Sequence, residues 1–318
     1  MTRLTSSEKE LFEEVRQNRL KAAETFNNRL FSGLFRATAD IYPDPAHFVY
    51  ELLQNADDVE ADSVEFILDK DVLYFKHNGK IKFNVTSDNK KPLGHINSIT
   101  AYLSSKDDNS GNKIGKFGLG FKSVFVYSDA PEIYDDKFWF KIEQQIVPTL
   151  LDHDHSLRRD GETLFVFRLK NAKAAYDEIH NKLSQLEESM LFLNHVKSII
   201  YINKLTRKNF KYEEKQERNN VVGDIDYSFI TLESQEKTRR LILFKRKKNL
   251  FGEAVKSVNV AIAFYLSNNG NLNTKTKRGI SCFFPTSDSF ELPFRCHAPF
   301  LLTSNRQNIK NESLKFRK

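Results

Sequence analysis

Glu51, Asn55 and Asp58 stand at i, i+4 and i+7 within residues 50–59, Tyr-Glu-Leu-Leu-Gln-Asn-Ala-Asp-Asp-Val. Wound at roughly 100° per residue, such positions share one narrow stripe of a helix. His47, four residues before Glu51, lengthens the stripe by a turn. The helix would aim a carboxylate, an amide and a second carboxylate at a common target, groups able to take a proton or accept hydrogen bonds. Phe48, Val49, Leu52, Leu53, Ala56 and Val59 fall on other sides and supply an apolar face. A solvated acidic face more often interleaves Lys or Arg as i,i+4 partners, and no basic residue lies between His47 and Lys70. Taken alone, the pattern also describes an ordinary acidic surface stripe.

A second stretch changes that weighing. Gly115-Lys116-Phe117-Gly118-Leu119-Gly120-Phe121-Lys122 sets three glycines in a G-x-x-G-x-G frame ahead of the apolar run Val124 to Val126. Glycines let backbone approach an anion, and a helix starting there turns free N–H groups towards phosphate. The frame is neither a Walker A sequence, since no Gly-Lys-Ser/Thr closes it, nor a dinucleotide-binding fingerprint.

In this order and at this separation, the two stretches resemble the GHKL superfamily of ATPases, the gyrase B, heat-shock-protein-ninety, histidine-kinase and MutL group. Residues 51–58 are similar to its first motif and residues 115–120 to its third. Gly161-Glu162-Thr163, ahead of Leu-Phe-Val-Phe-Arg-Leu-Lys, resembles its strand-borne threonine motif. The spellings Gln-Asn-Ala-Asp-Asp, His77-Asn78-Gly79 and Gly-Lys-Phe-Gly-Leu-Gly-Phe-Lys-Ser-Val-Phe look most like the sacsin-like branch.

The resemblance implies ATP and Mg2+ as cofactors, with roles that carry over by position. Glu51 matches the general base that orients water, and Asn55 the Mg2+ ligand, an amide oxygen suited to a hard cation. Asp58 matches a position lining the pocket. Gly115, Gly118 and Gly120, with Phe117 and Leu119 between them and Phe121 after them, would turn backbone N–H groups to the phosphates. Lys106, Lys116 and Lys122 would add charge there, although Lys116 equally suits a solvent-facing lysine. Thr163 would hydrogen-bond near the adenine. The departure lies at His77-Asn78-Gly79-Lys80-Ile81, where most members carry Asp-x-Gly-x-Gly and the Asp accepts from the adenine amino group. Neutral His77 or the Asn78 amide oxygen could accept the same bond. If His77 does, protonation as pH falls towards 6 would weaken it. Arg306, in Thr303-Ser304-Asn305-Arg306-Gln307, resembles an arginine that the chaperone branch sets on the γ-phosphate. A surface arginine suits that position as well, and Arg295 competes for the role.

The fold so implied is α+β. A Bergerat-type α/β sandwich, a mixed sheet with helices on one face, would occupy residues 1–193 with an N-terminal helix and a lid at 107–114. A second, transducer-like α/β domain would occupy 194–318 and continue into a longer protein. Function would be that of a slowly hydrolysing ATP-dependent switch or clamp, joining two copies when ATP is bound. The alternatives are a nucleic-acid-engaging clamp, for instance in bacterial antiviral defence, a chaperone-like switch for protein clients, and a degenerate binding-only module.

Composition sets limits around this picture. The 318 residues suit about two domains. Hydrophobic residues make up 40% and charged residues 29%, ordinary for a globular chain, and 27 phenylalanines can furnish aromatic cores. The longest apolar run, Val258 to Leu266, is too short to span a bilayer, and no signal peptide is visible. Two cysteines, Cys282 and Cys296, suit free thiols and a cytoplasmic location better than a disulfide framework. The net charge of +7 gathers mainly after residue 200, in Lys245-Arg246-Lys247-Lys248 and Lys275-Thr276-Lys277-Arg278, which read as solvated loops or as attraction for nucleic acid.

Several elements must position the motifs. Ser7-Glu8-Lys9-Glu10 reads as a capping box opening a long first helix, and Asp44-Pro45 as the start of the Glu51 helix. Residues 64–68 and 72–76 read as a hairpin, 95–104 as a helix, 133–142 as a second hairpin, 163–169 as a strand and 172–193 as a helix. Asp152-His153-Asp154-His155 has a His-x-His spacing that could ligate metal, but a solvated loop suits it better. From about 195, strands such as 199–202, 241–244 and 258–266 are expected to alternate with charged loops.

Overall fold

The computed structural model describes residues 4–26, 46–101, 120–234, 237–250, 256–275, 279–289, 292–303 and 308–310. The chain is α+β and divides into two compact units. The first holds residues up to 184 with 200–209; the second holds 185–199 and the chain from 210.

The first unit opens with helix α1, Ser6–Phe26. Its capping box is Thr5 with Glu8, two residues earlier than Ser7 with Glu10. The Thr5 N–H donates to Glu8 Oε2 at 2.9 Å, and the Glu8 N–H donates to Thr5 Oγ1 at 3.2 Å. Both pairs spell the motif, but helical backbone begins at Ser6, so only Thr5 stands at the cap. Phe12 of α1 packs against Phe138 and Phe140, with ring centroids 6.2 and 6.0 Å apart.

Helix α2, Phe48–Asp58, is followed by the antiparallel hairpin of β1, Ser63–Leu68, and β2, Val72–His77. Helix α3, His95–Thr100, is shorter than expected over its described part. Its Asn97 amide donates to Thr86 O at 2.7 Å and to Asp88 Oδ1 at 3.0 Å, and Arg19 of α1 forks onto the same Asp88. Strands β3, Glu132–Tyr134, and β4, Trp139–Glu143, form the expected second hairpin and β6, Thr163–Arg168, the expected strand, while β5, Val147–Leu150, is an additional one. With β7, Ser198–Asn203, the sheet of this unit runs β7-β1-β2-β6-β3-β4-β5.

Cross-strand neighbours show how the faces are used. Phe75, Phe165 and Phe167 line one face, and Phe48 of α2 meets Phe167 at 5.9 Å. On the other face Val72, Tyr134, Trp139, Leu164 and Val166 form a core against Leu151 and Leu157. His155 also lies on this face, its ring 5.3 Å from Tyr134 and 5.7 Å from Tyr74, and its Nδ1 accepts from the Leu157 N–H. Among the described residues no group of three His, Cys, Asp or Glu could hold a metal ion.

Helix α4, Ala172–Leu183, stops ten residues before the expected 193. Ser184 turns its hydroxyl back onto the His180 carbonyl at 2.8 Å. Leu191 and Phe192, which the expected helix included, instead join the core of the second unit.

That unit is a sheet of β8, Lys208–Val222, β9, Ile225–Glu233, β10, Thr238–Leu250, β11, Lys256–Tyr265, β12, Gly279–Cys282, β13, Phe284–Ser289, and β14, Phe294–His297. The order is β8-β9-β10-β11-β14-β12-β13, and the β12–β14 pair is parallel. Ile230, Leu232, Leu241, Leu243, Ala261 and Ala263 fill its core, while Tyr227, Phe244, Phe264 and Phe294 make a chain of ring contacts on the opposite face. The charged run at 245–248 lies in a strand here and not a loop, while 276–278 of the second run lie outside the described residues. Lys215 pairs with Glu233 across the ladder at 2.5 Å, and Lys245-Arg246-Lys247 lie within β10, where Arg246 meets Asp224 of the neighbouring turn. Strand pairing satisfies the backbone while alternate charges stay at the surface or find cross-strand partners. Cys282 and Cys296 are free thiols. No helix among the described residues is long and apolar enough to cross a membrane.

Candidate nucleotide site

Helix α2 is buried nearly all round, more than its amphipathic sequence suggests. Leu52, Leu53 and Ala56 are at most 1% exposed, yet Glu51, Gln54 and Asp57 are also buried. Its start is pinned where the Ala46 N–H donates to the Tyr127 hydroxyl at 2.8 Å, which itself donates to Glu178 of α4 at 2.6 Å. Of the polar stripe, His47 and Glu51 lie inside, with His47 Nε2 3.7 Å from Glu51 Oε1. Asn55 and Asp58 are partly exposed. The Asn55 side-chain amide makes no hydrogen bond among the described residues, so its oxygen is available to a hard cation.

The end of the glycine frame meets this helix. A Cβ built on Gly120 would lie 1.8 Å from Glu51 Oε2 and 2.5 Å from the Glu51 carboxyl carbon. Glycine is required there by close approach, not by positive φ. Gly79 is set against the other end of α2: an added Cβ would fall 2.5 Å from Val59 Cγ2 and 2.9 Å from His77 Nδ1. The Lys80 N–H donates to Val59 O at 2.8 Å in the same contact. Three separate stretches of sequence thus converge on α2.

His77 sits opposite Thr163 in the β2–β6 ladder, and both are buried. The Gly79 N–H donates to His77 Nδ1 at 3.1 Å. The neutral ring therefore carries its hydrogen on Nε2 and presents a donor, so the acceptor role open to it in the sequence is already filled. Burial first, then Lys82, pushes the His77 pKa down to about 3, so protonation near pH 6 does not occur. Asn78 is exposed and faces the start of β1, where its oxygen accepts from the Asp62 and Ser63 N–H groups and its amide donates to Asp62. Thr163 donates its hydroxyl to Asp135 Oδ1 at 3.0 Å, and Phe83 N–H donates to Asp135 Oδ2 at 2.6 Å. Asp135 was not singled out in the sequence, where it reads as a hairpin-turn acid. Strand alternation puts it on the same face as Ile133 and next to Thr163, and it is fully buried.

Other candidates lie apart. Phe121 packs on Phe125 and Phe165 as a core residue. Lys122 is buried and donates to backbone carbonyls. Lys106, Gly115, Lys116, Phe117, Gly118 and Leu119 fall outside the described residues, as does Arg306. Arg295 belongs to a partly buried ion cluster of the second unit: it pairs with Glu188 and donates to Ser281 Oγ at 3.3 Å, while Arg239 also donates to Glu188 at 2.6 Å.

Comparison with known proteins agrees with the motif reading. Residues 34–143 match the family model of the Sacsin domain. The chain is 27% identical to the protein NO VEIN of Arabidopsis thaliana, over 90% of this chain and 11% of that protein. It is 29% identical to human sacsin over 33% of this chain and 2% of that protein. The chain thus spans about a tenth of the length of the first and far less of the second. The topoisomerase IV ATP-binding domain of Francisella tularensis, solved with a small-molecule inhibitor, overlays with a TM-score of 0.39 at 17% identity, covering 58% of each chain. The Sacsin-domain match over residues 34–143 takes in α2 and the glycine frame, the two stretches on which the resemblance to the sacsin-like branch rests.

Proposed function

We propose that the chain is an ATP-binding, slowly hydrolysing module of the sacsin-like type. The observation that carries this reading is the contact of Gly120 with Glu51, which joins the end of a phosphate-type glycine frame to a buried carboxylate. Glu51 would hold and deprotonate the attacking water, and His47, 3.7 Å away, would orient the carboxylate. Asn55, one turn further and partly exposed, would hold Mg2+, which when bound neutralises charge on the phosphate oxygens. Backbone N–H groups of residues 115–120 would cradle the phosphates, and Asp58 would face the pocket through water. The buried row of His77, Thr163 and Asp135 would border the base. Arg306 would contact the γ-phosphate, as the resemblance of residues 303–307 implies, and two copies would join when ATP is bound.

Calorimetric titration of ATP with and without Mg2+ tests the assignment. The wild type should bind ATP more tightly with Mg2+, and Asn55→Ala should lose that gain. Absence of ATP binding by the wild type would refute the reading.

A further inference from the structure

Lys122 follows the glycine frame by two residues, and its sequence position suits a phosphate ligand. The structure directs its amine elsewhere. The residue is 2% exposed, its Nζ donates to Ile99 O at 2.8 Å and to Gln145 O at 2.6 Å, and it lies 5.7 Å from the centre of the Phe125 ring. An ammonium has three donors, so two of them are spent on carbonyls. Burying an amine this deeply is costly unless its hydrogen bonds are met. Burial, then the charge of Arg19, lowers its pKa to about 7, so at neutral pH the amine carries only part of its usual charge.

The two acceptors have informative places in the chain. Ile99 lies in the last turn of α3, just before residues 102–119, and Lys122 lies just after them. Gln145 stands in the β4–β5 turn at φ 66, beside Ile146 and Val147, which pack on Ala23 of α1. One amine therefore gathers both flanks of the glycine-bearing segment onto a turn that the core holds still. The Ser123 hydroxyl donates to Gly120 O at 2.6 Å and carries this order one step further.

We infer that Lys122 is a positioning residue: it ties the end of α3, the β4–β5 turn and residues 120–126 together, and so keeps Gly120 seated against Glu51. Its consequence for nucleotide affinity rests on the ATP reading above; the tie itself does not.

Hydrogen exchange of the nucleotide-free protein tests the tie. Lys122→Met should raise exchange at the amides of 96–101, 120–126 and 145–147 by about tenfold while distant strands keep their protection. ATP affinity should fall in the same variant. Unchanged exchange together with lost ATP affinity would make Lys122 a direct ligand and overturn the inference. Should the variant fail to fold, acetylation of the wild-type Lys122 amine decides: it should be slow both with and without ATP and Mg2+. Ready labelling that ATP suppresses would contradict the inference. If the wild type binds no ATP but the variant shows the local rise in exchange, the tie stands and the ATP reading fails.

Discussion

The backbone of Gly120 lies so close to Glu51 that a methyl group cannot be placed between them: it would sit 1.8 Å from the carboxylate oxygen. Glu51 is 4% exposed, so its side chain has little room to withdraw. Gly120→Ala should therefore destabilise the first unit by about 1–3 kcal/mol through overpacking. A displaced carboxylate should also lower turnover by about 10²-fold. Combining it with Glu51→Ala removes the clash, so the double variant should recover the stability lost to the methyl group. Urea unfolding of the four proteins measures this, and equal cost of Gly120→Ala in both backgrounds would contradict the contact.

His77 yields a prediction about pH. With its pKa near 3 it stays neutral across the physiological range, so ATP affinity should be flat between pH 8 and 6 with respect to this residue. Stability behaves differently. Between about 6.5 and 3 the unfolded chain binds a proton at His77 that the folded chain refuses, so stability is lost as pH falls through that window. His297 in the second unit, lowered to about 4 mainly by burial, adds a loss of the same sign. Urea unfolding at pH 7 and pH 4 should show a smaller loss for His77→Asn than for the wild type. An equal loss would place the titrating groups elsewhere.

Because the His77 ring presents a donor, it cannot read the adenine amino group as a carboxylate would. ATP and GTP affinities should then differ by less than the roughly 1–3 kcal/mol that a buried unpaired group costs. Competition binding measures the difference. A strong preference for ATP would require another acceptor, and Asp135 beside Thr163 would be the residue to replace next.

Arg295→Ala should act on folding and not on chemistry. It leaves the partly buried Glu188, still paired with Arg239, with one guanidinium fewer, a loss of about 1–3 kcal/mol. Thermal unfolding of the second unit should move down, while turnover per folded molecule stays at the wild-type value. Arg306→Ala should do the reverse, lowering turnover and leaving ADP affinity unchanged. Exchange of these two outcomes would give the phosphate role to Arg295.

Much of the first unit was legible because its signals are local. The i, i+4, i+7 stripe and the alternating hairpins depend on residues close in sequence, and the structure has α2, β1–β4 and β6 where those patterns lead. What escaped depends on neighbours from afar. Nothing in the spelling of residues 77–79 shows that Gly79 would spend the His77 acceptor, or that Ile99 and Gln145 would claim Lys122. The end of α4 was missed because Leu191 and Phe192 have helical spacing yet pack in the other unit. The charged strand β8 and the 245–248 part of β10 read as loops because cross-strand pairs like Lys215 with Glu233 are invisible to periodicity. Asp135 was overlooked for the same reason, since only strand order brings it to Thr163.

The central claim is that α2 and the glycine frame make one ATP site with Glu51 as its base. The most direct measurement is ATP binding and steady-state turnover of the wild type and Glu51→Gln under the same conditions with Mg2+. Near-equal ATP affinity with turnover reduced by at least about 10²-fold in the variant is the result predicted for a general base. Unchanged turnover in Glu51→Gln, or a wild type that binds no ATP, would contradict it.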